Sequence, residues 1–115
     1  MGEALANSRC VACLPDSPAV TEDERRELGL EIPDWEVIPV DGIPRLRRSY
    51  EFRDFAEALA FVDGVGSVAE GENHHPEMTV GWGYATVMWW THTIRNLHRN
   101  DFVMAAKTDR IYRSL

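Results

Sequence analysis

Three of the four histidines lie close to predicted ends of secondary-structure elements, where catalytic groups are often placed on a rigid scaffold. His74 and His75 are adjacent in a polar connection, and His92 follows a run of aromatic and β-branched residues. An imidazole has an unperturbed pKa of about 6.5, so it can donate or accept a proton near neutral pH. Glu70 and Asp101 flank these positions, and a carboxylate beside an imidazole fixes its orientation and tautomer. The pattern predicts a cluster for acid/base chemistry.

Three interpretations of these residues remain open on spacing alone. Glu70, Asn73 and the histidines could form a solvated loop, with Asp101 only favouring a helix start. Three imidazoles and a carboxylate could also bind zinc or iron, although the adjacent His74 and His75 should point to opposite sides of an extended segment. The third interpretation is acid/base catalysis on a small heterocycle.

Length, charge and apolar content narrow the class of protein. A chain of 115 residues, with 44% hydrophobic and 27% charged residues, is typical of one globular domain. The formal net charge of -7 disfavours nucleic acid and anionic membranes as partners, because binding to phosphates depends on Lys and Arg. The chain also lacks an apolar run of bilayer-spanning length and a signal-peptide pattern. We therefore expect a cytoplasmic protein.

Residues 1–20 show no sustained periodicity and predict an irregular N-terminal arm before a single domain at residues 21–115. The arm contains Cys10 and Cys13 in a CxxC spacing, which metal knuckles and redox sites also use. A structural zinc normally needs four ligands, and no second CxxC is present. We expect the pair to be spare or locally structural, with a redox role or a metal site completed by another subunit as alternatives. Little function is expected in the arm.

The domain should begin with a short helix and a β-hairpin. Thr21 and Glu24 form a capping-box pattern, and Pro33 must end the helix that follows. Alternating bulky and polar residues then predict two strands joined by a turn at Asp41–Gly42. These strands are expected at residues 35–40 and 46–52.

A second helix, two strands and a last helix follow. Asp54 should cap the second helix and Gly71 should close it. Its predicted buried stripe is Phe55, Ala58, Leu59, Val62, Val65 and Ala69. Two strands are predicted to join near Gly83. The last helix is predicted to face the core with Phe102, Ala105, Ala106 and Tyr112. The order αββαββα predicts an α+β two-layer sandwich, with three helices on one face of a four-stranded antiparallel sheet.

The segment EGENHHPEMTVGWGYATVMWWTH, with Asp101 beyond it, resembles a family signature. It has an acidic residue, three further residues, His-His-Pro, an aromatic after a short gap and a later histidine. This pattern is similar to that of the pterin-4a-carbinolamine dehydratases, also called dimerisation cofactor of hepatocyte nuclear factor. RSYEFRDFAEALAFVDGV resembles the family's second strand and second helix, so the similarity covers about residues 21–112. The CxxC arm resembles that of bacterial members.

The resemblance implies roles for individual residues. His74, His75 and His92 match the family's catalytic and pterin-contacting histidines, with His75 in the main acid/base role, and Asp101 matches their acidic partner. Substrate-binding positions are expected at Glu70, Asn73, Pro76 and Thr91. Neither a metal nor an organic cofactor is implied.

One departure from the family pattern is His98, where the family commonly has Thr. Loss of a good helix N-cap destabilises a helix by about 1 kcal/mol unless Asn100 or Asp101 compensates. The substitution would also bring a fourth imidazole near the site.

The implied reaction is the dehydration of 4a-hydroxytetrahydrobiopterin, a pterin 4a-carbinolamine, to quinonoid dihydropterin and water during tetrahydrobiopterin recycling. The implied partners are the pterin substrate, an aromatic amino-acid hydroxylase served by the reaction, and further copies of the chain in a homodimer or homotetramer. Two other functions remain open within the resemblance. One is a non-catalytic protein-binding or dimerisation module, and the other is a pterin-related role in molybdenum cofactor metabolism.

Overall fold

In the computed structural model, which describes residues 3–115, the chain forms one four-stranded antiparallel sheet and four helices. The elements are α1 Glu3–Ala6, α2 Glu22–Gly29, β1 Glu36–Val40, β2 Ile43–Glu51, α3 Phe55–Glu72, β3 Glu77–Gly81, β4 Tyr84–Trp89 and α4 Arg99–Arg113. The strands lie in the order β1-β2-β4-β3, and helices α3 and α4 contact the sheet. This arrangement confirms the predicted α+β fold.

Local signals in the sequence correctly predicted the first helix of the domain and the hairpin. The Thr21 hydroxyl accepts a hydrogen bond from the Glu24 amide at 3.1 Å, and the Glu24 carboxylate accepts one from the Thr21 amide at 2.8 Å. Asp41 and Gly42, with φ of 53° and 77°, form the turn between β1 and β2. Both φ angles are positive, as in the turns whose twist matches that of the flanking strands.

The N-terminal arm differs from the prediction. Residues 1 and 2 lie outside the described range, but Glu3–Ala6 form the helical turn α1, so the arm is not irregular throughout. Leu5 and Ala6 are buried, and α1 packs against α4. Sequence periodicity could not show this turn, because four residues are too few for a period and the turn is stabilised by tertiary packing.

Helix α3 also departs from its predicted face and end. Asp54 caps it as expected, accepting from the Glu57 amide at 2.9 Å. The helix runs past Gly71 to Glu72 and is closed by Asn73, which adopts the left-handed conformation with φ of 53°. Phe61 is fully buried, whereas the predicted core residue Phe55 is 43% exposed. Leu59 is likewise exposed, so the buried stripe is rotated towards Phe61.

The buried carboxylate of Asp109 ties the hairpin to α4. Its Oδ1 accepts hydrogen bonds from Trp35 Nε1 at 2.9 Å, Arg48 Nη1 at 2.7 Å and Tyr50 Oη at 2.6 Å. Burial and the charge of Asp109 both raise the pKa of Tyr50, so its hydroxyl remains a donor at neutral pH. A buried charge is tolerated when its hydrogen-bonding capacity is filled.

No helix among residues 3–115 is both long enough and apolar enough to cross a membrane.

Replacing Asp109 by Ala should lower the free energy of unfolding by about 3 kcal/mol, because Arg48 loses its buried partner and two further donors lose their acceptor. Urea denaturation followed by circular dichroism measures the change. The control is Asp34→Ala, since that carboxylate is 68% exposed and 3.6 Å from Arg48. This variant should change stability by less than about 0.5 kcal/mol. Similar losses in both variants would contradict the role assigned to Asp109.

Candidate active site

The connection between α3 and β3 sends two adjacent histidines into different environments. Asn73 ends α3 in the left-handed conformation, and the His74 amide then donates to the Ala69 carbonyl at 3.2 Å. His74 is buried, whereas His75 is exposed. Pro76 follows and restricts His75 to extended backbone conformations. The two adjacent imidazoles therefore differ in their exposure to solvent.

His74 is held by the fully buried carboxylate of Asp101. Its Nε2 lies 2.6 Å from Asp101 Oδ1. The other carboxylate oxygen accepts from Thr91 Oγ1 at 2.8 Å and from the His98 amide at 2.9 Å. The His74 ring also stacks on Trp89, with 7° between the ring planes. One hydrogen bond at Nε2 and stacking on one face restrict rotation of the imidazole.

His98 acts as the N-cap of α4. Its Nδ1 accepts a hydrogen bond from the Asn100 amide at 3.0 Å, and Asp101 accepts from the His98 amide, which completes a capping box. Burial lowers the pKa of His98, with the charge of Asp101 opposing that shift, so the ring stays neutral and can accept. The expected loss of about 1 kcal/mol is thus avoided.

His75 forms a second carboxylate pair of a different kind. Its Nε2 lies 2.6 Å from Oε1 of Glu70, a residue in the last turn of α3. The side chain of His75 is 55% exposed and that of Glu70 is 80% exposed. A pair in contact with solvent adds little stability, about 0 to 1 kcal/mol. Its effect is to orient the ring of His75.

His92 lies beyond the end of β4 and is positioned by an aromatic contact. Its ring centroid is 4.4 Å from that of Trp90. The guanidinium of Arg45 lies 3.8 Å from the Trp90 ring centroid and forms an ion pair with Glu77 at 3.1 Å. Trp90 is buried while His92 is exposed, so the stack connects an exposed imidazole to the sheet.

A cavity of about 630 Å³ brings the three histidines together. Among the predicted site residues, those that line it are Asn73, His74, His75, Thr91 and His92. Asp101 is not part of the lining, but it is hydrogen-bonded to two residues that are, His74 and Thr91. Glu70 and Pro76 are not part of the lining.

Sequence reasoning missed a further part of the lining of this cavity. It is formed by the segment Cys10–Cys13, together with Glu72, Asn100 and Thr93. The N-terminal arm, in which little function was expected, therefore forms part of the cavity that contains the candidate site. No local pattern places an irregular segment against a site formed some sixty or more residues later in the chain, and the CxxC spacing was the only signal there.

The metal-site interpretation finds no support in the arrangement of side chains. Within residues 3–115, no three His, Cys, Asp or Glu side chains are placed to hold one metal ion. The Nε2 atoms of His74 and His75 each face a separate carboxylate.

Comparison with known proteins agrees with this geometry. A family model described as pterin 4 alpha carbinolamine dehydratase matches residues 18–111. The chain is 53% identical over 107 residues to a Gloeobacter violaceus protein named "Putative pterin-4-alpha-carbinolamine dehydratase 1", covering 93% of this chain and 92% of that one. It is 47% identical over 115 residues to a Chlorobium luteolum protein with the same name but no number, covering all of both chains.

Solved structures support the same assignment. A crystal structure described as a transcriptional coactivator/pterin dehydratase from Brucella melitensis has a TM-score of 0.73 and 31% identity, covering 82% of this chain and 98% of that one. A pterin dehydratase-like protein identified as a RuBisCO assembly factor in the alpha-carboxysome has 23% identity and a TM-score of 0.58, covering 68% and 88%, and shares the fold. The matched family model spans most of the chain, and this protein belongs to the pterin 4 alpha carbinolamine dehydratase family.

Proposed function

We propose that this protein dehydrates a pterin 4a-carbinolamine, 4a-hydroxytetrahydrobiopterin or a close analogue, to quinonoid dihydropterin and water. The observation that carries the proposal is a cavity shared by three histidines, one of which is hydrogen-bonded to a fully buried aspartate. The reaction removes the hydroxyl from C4a and the proton from N5. It therefore needs one group to protonate the departing hydroxyl and another to accept the N5 proton.

His74 is the proposed base. An ionised Asp101 can only accept hydrogen bonds, so the proton of a neutral His74 must lie on Nε2, and Nδ1 keeps its lone pair. The hydrogen bonds from Thr91 and the His98 amide hold the carboxylate in place. Nδ1 of His74 can then accept the N5 proton, and the nearby carboxylate stabilises the imidazolium that forms.

His75 is the proposed acid. It lines the cavity beside His74, and Glu70 orients its ring through Nε2. Its exposure gives it ready proton exchange with water, so it can be reprotonated after each turnover. Pro76 acts by holding the His75 backbone extended.

His92, Thr91 and Asn73 complete the proposed substrate site. All three line the cavity, and the contact of His92 with Trp90, at 32° between the ring planes, supports an imidazole against which a flat ring can pack. A pterin also carries several ring-edge donors and acceptors, which suit the polar groups near Thr91 and Asn73. The dehydration itself needs no metal and no organic cofactor.

The proposed cellular setting follows from the reaction. Recycling of a tetrahydropterin serves an aromatic amino-acid hydroxylase, and the protein is proposed to act in the cytoplasm as a homodimer or homotetramer. Trp82 is 74% exposed in the turn between β3 and β4, and Tyr84 beside it is 44% exposed. Exposed aromatics of this kind are common in interfaces.

A protein-binding role is the second candidate, because the similar Brucella structure is described as a coactivator as well as a dehydratase. A chain in which His74, His75 and His92 are all replaced by Ala separates the two functions. The dehydratase proposal predicts that this variant loses its biological role together with its activity.

The His75→Ala variant should lose about 10²-fold or more in kcat, because positioned proton transfer typically contributes 10²- to 10⁴-fold. The measurement is the ultraviolet absorbance change of freshly generated 4a-hydroxytetrahydropterin, compared with the buffer rate. The control is His98→Asn, which removes an imidazole outside the cavity lining and keeps an N-cap side chain. Equal activity of His75→Ala and the native chain would contradict the assignment.

The Asp101→Asn variant should lose about 10²-fold or more in kcat with little change in KM, because the substitution changes the tautomer of His74. The His98 amide and the Thr91 hydroxyl donate to one side of residue 101, so the amide oxygen should remain there. The amide NH₂ then faces His74 Nε2 and moves the ring proton to Nδ1, which removes the base.

The kcat of Asp101→Asn should be compared with that of His74→Ala and of the double variant. If His74 and Asp101 perform the proton transfer as one pair, the double variant should lose no more kcat than either single variant. Independent, multiplying losses would contradict the proposed pair.

A further inference from the structure

The segment Cys10–Cys13 lies outside the residues matched by the family model, yet it forms one side of the cavity. It is anchored on both sides. Before it, buried Lys107 donates from Nζ to the Ala6 carbonyl at 2.9 Å. After it, the Val20 amide donates to the Leu97 carbonyl at 2.9 Å. The segment is therefore fixed to the body of the protein at both ends.

Two polar side chains hold the segment itself in place. Asn100 accepts from the Val11 amide at 3.1 Å and donates from Nδ2 to the Val11 carbonyl at 2.7 Å, a pairing that satisfies both groups of one residue. Glu72 accepts from the Cys10 amide at 2.8 Å. Asn100 directly precedes Asp101, and Glu72 is the last residue of α3, one residue before Asn73 and two before His74. The anchors of the wall are thus neighbours of the proposed base pair.

The surroundings of the two cysteines disfavour the thiolate form. Burial raises the pKa of Cys10 to about 12, and the charges of Glu72 and Asp101 act in the same direction. Burial also raises the pKa of Cys13, while hydrogen bonds with Asn100 and Thr91 oppose the shift. Because the thiolate is the nucleophile and the metal ligand, thiols that stay protonated at neutral pH suit neither role.

We infer that residues 10–13 are a substrate-positioning wall, which confines the pterin ring against His74, His75 and His92 and which Asn100 holds at the right distance. This inference rests on the proposed dehydratase function. Asn100 is proposed as a positioning residue, because it holds the Val11 backbone through two hydrogen bonds, although its own side chain also lines the cavity. A wall that contacts the ring in both the ground state and the transition state contributes uniform binding, so its loss raises KM more than it lowers kcat.

Ala12 gives a direct test, because its exposed side chain lines the cavity. The Ala12→Trp variant should weaken binding of 7,8-dihydrobiopterin, measured by isothermal titration calorimetry, by about 10-fold or more through occupation of the site. Ala12→Leu should give a smaller loss. The matched control is Leu14→Trp, one residue beyond the segment, 59% exposed and outside the cavity lining, which should bind within twofold of the native chain.

Equal affinities for Ala12→Trp and Leu14→Trp would overturn the wall. If the native chain binds dihydrobiopterin but does not turn over the carbinolamine, the dehydratase function is contradicted. The affinities of Ala12→Trp and Leu14→Trp for dihydrobiopterin would still test the positioning wall. The two proposals can therefore fail separately.

A second variant tests the anchor. Asn100→Leu keeps a side chain of similar size but removes both hydrogen bonds to Val11, and should raise KM about five-fold or more with kcat within about three-fold. Arg110→Ala is its control, since it removes a contact with Asn7 at 2.8 Å on the exposed part of the arm. Thermal melting checks that both variants are folded. A fall in kcat at constant KM in Asn100→Leu would contradict the positioning role.

Discussion

The full set of hydrogen bonds around the buried carboxylate of Asp101 is the constraint on which the site depends. An uncompensated charge at this depth would destabilise the fold by about 3 to 5 kcal/mol. Three donors from three parts of the chain prevent this: the His74 ring from the α3–β3 connection, the Thr91 hydroxyl from the end of β4, and the His98 amide from the start of α4. The hydrogen bonds that join these elements also set the tautomer of His74. Folding therefore also prepares the proposed base.

The two carboxylate–imidazole pairs have the same length and different physical consequences. His74 and Asp101 are shielded from water, so their mutual orientation is restricted and their interaction is weakly screened. His75 and Glu70 are open to solvent, which screens the pair and allows proton exchange. A base must keep one defined lone pair, whereas an acid must regain its proton after each turnover. The different burial of two adjacent residues fits this division of roles.

Sequence reasoning succeeded where the determining interactions are local. The capping box at Thr21, the positive-φ turn at Asp41–Gly42 and the histidine pair before Pro76 each depend on residues only a few positions apart. It failed where the partner lies far along the chain. Asp109 contacts residues 59 to 74 positions away, and Asn100 contacts the arm 89 positions away. Helix α3 illustrates the same limit, because its apolar pattern is ambiguous and tertiary packing buries Phe61 rather than Phe55.

The position of the arm also explains why its cysteines are misleading in the sequence. A CxxC spacing suggests thiolate chemistry, but burial and the charges of Glu72 and Asp101 raise the pKa of Cys10, while the charge of Lys107 opposes them. The same two carboxylates serve the site in other ways, since Asp101 orients His74 and Glu72 holds the Cys10 amide. The carboxylate that is hydrogen-bonded to the His74 imidazole therefore also disfavours the thiolate form of both cysteines.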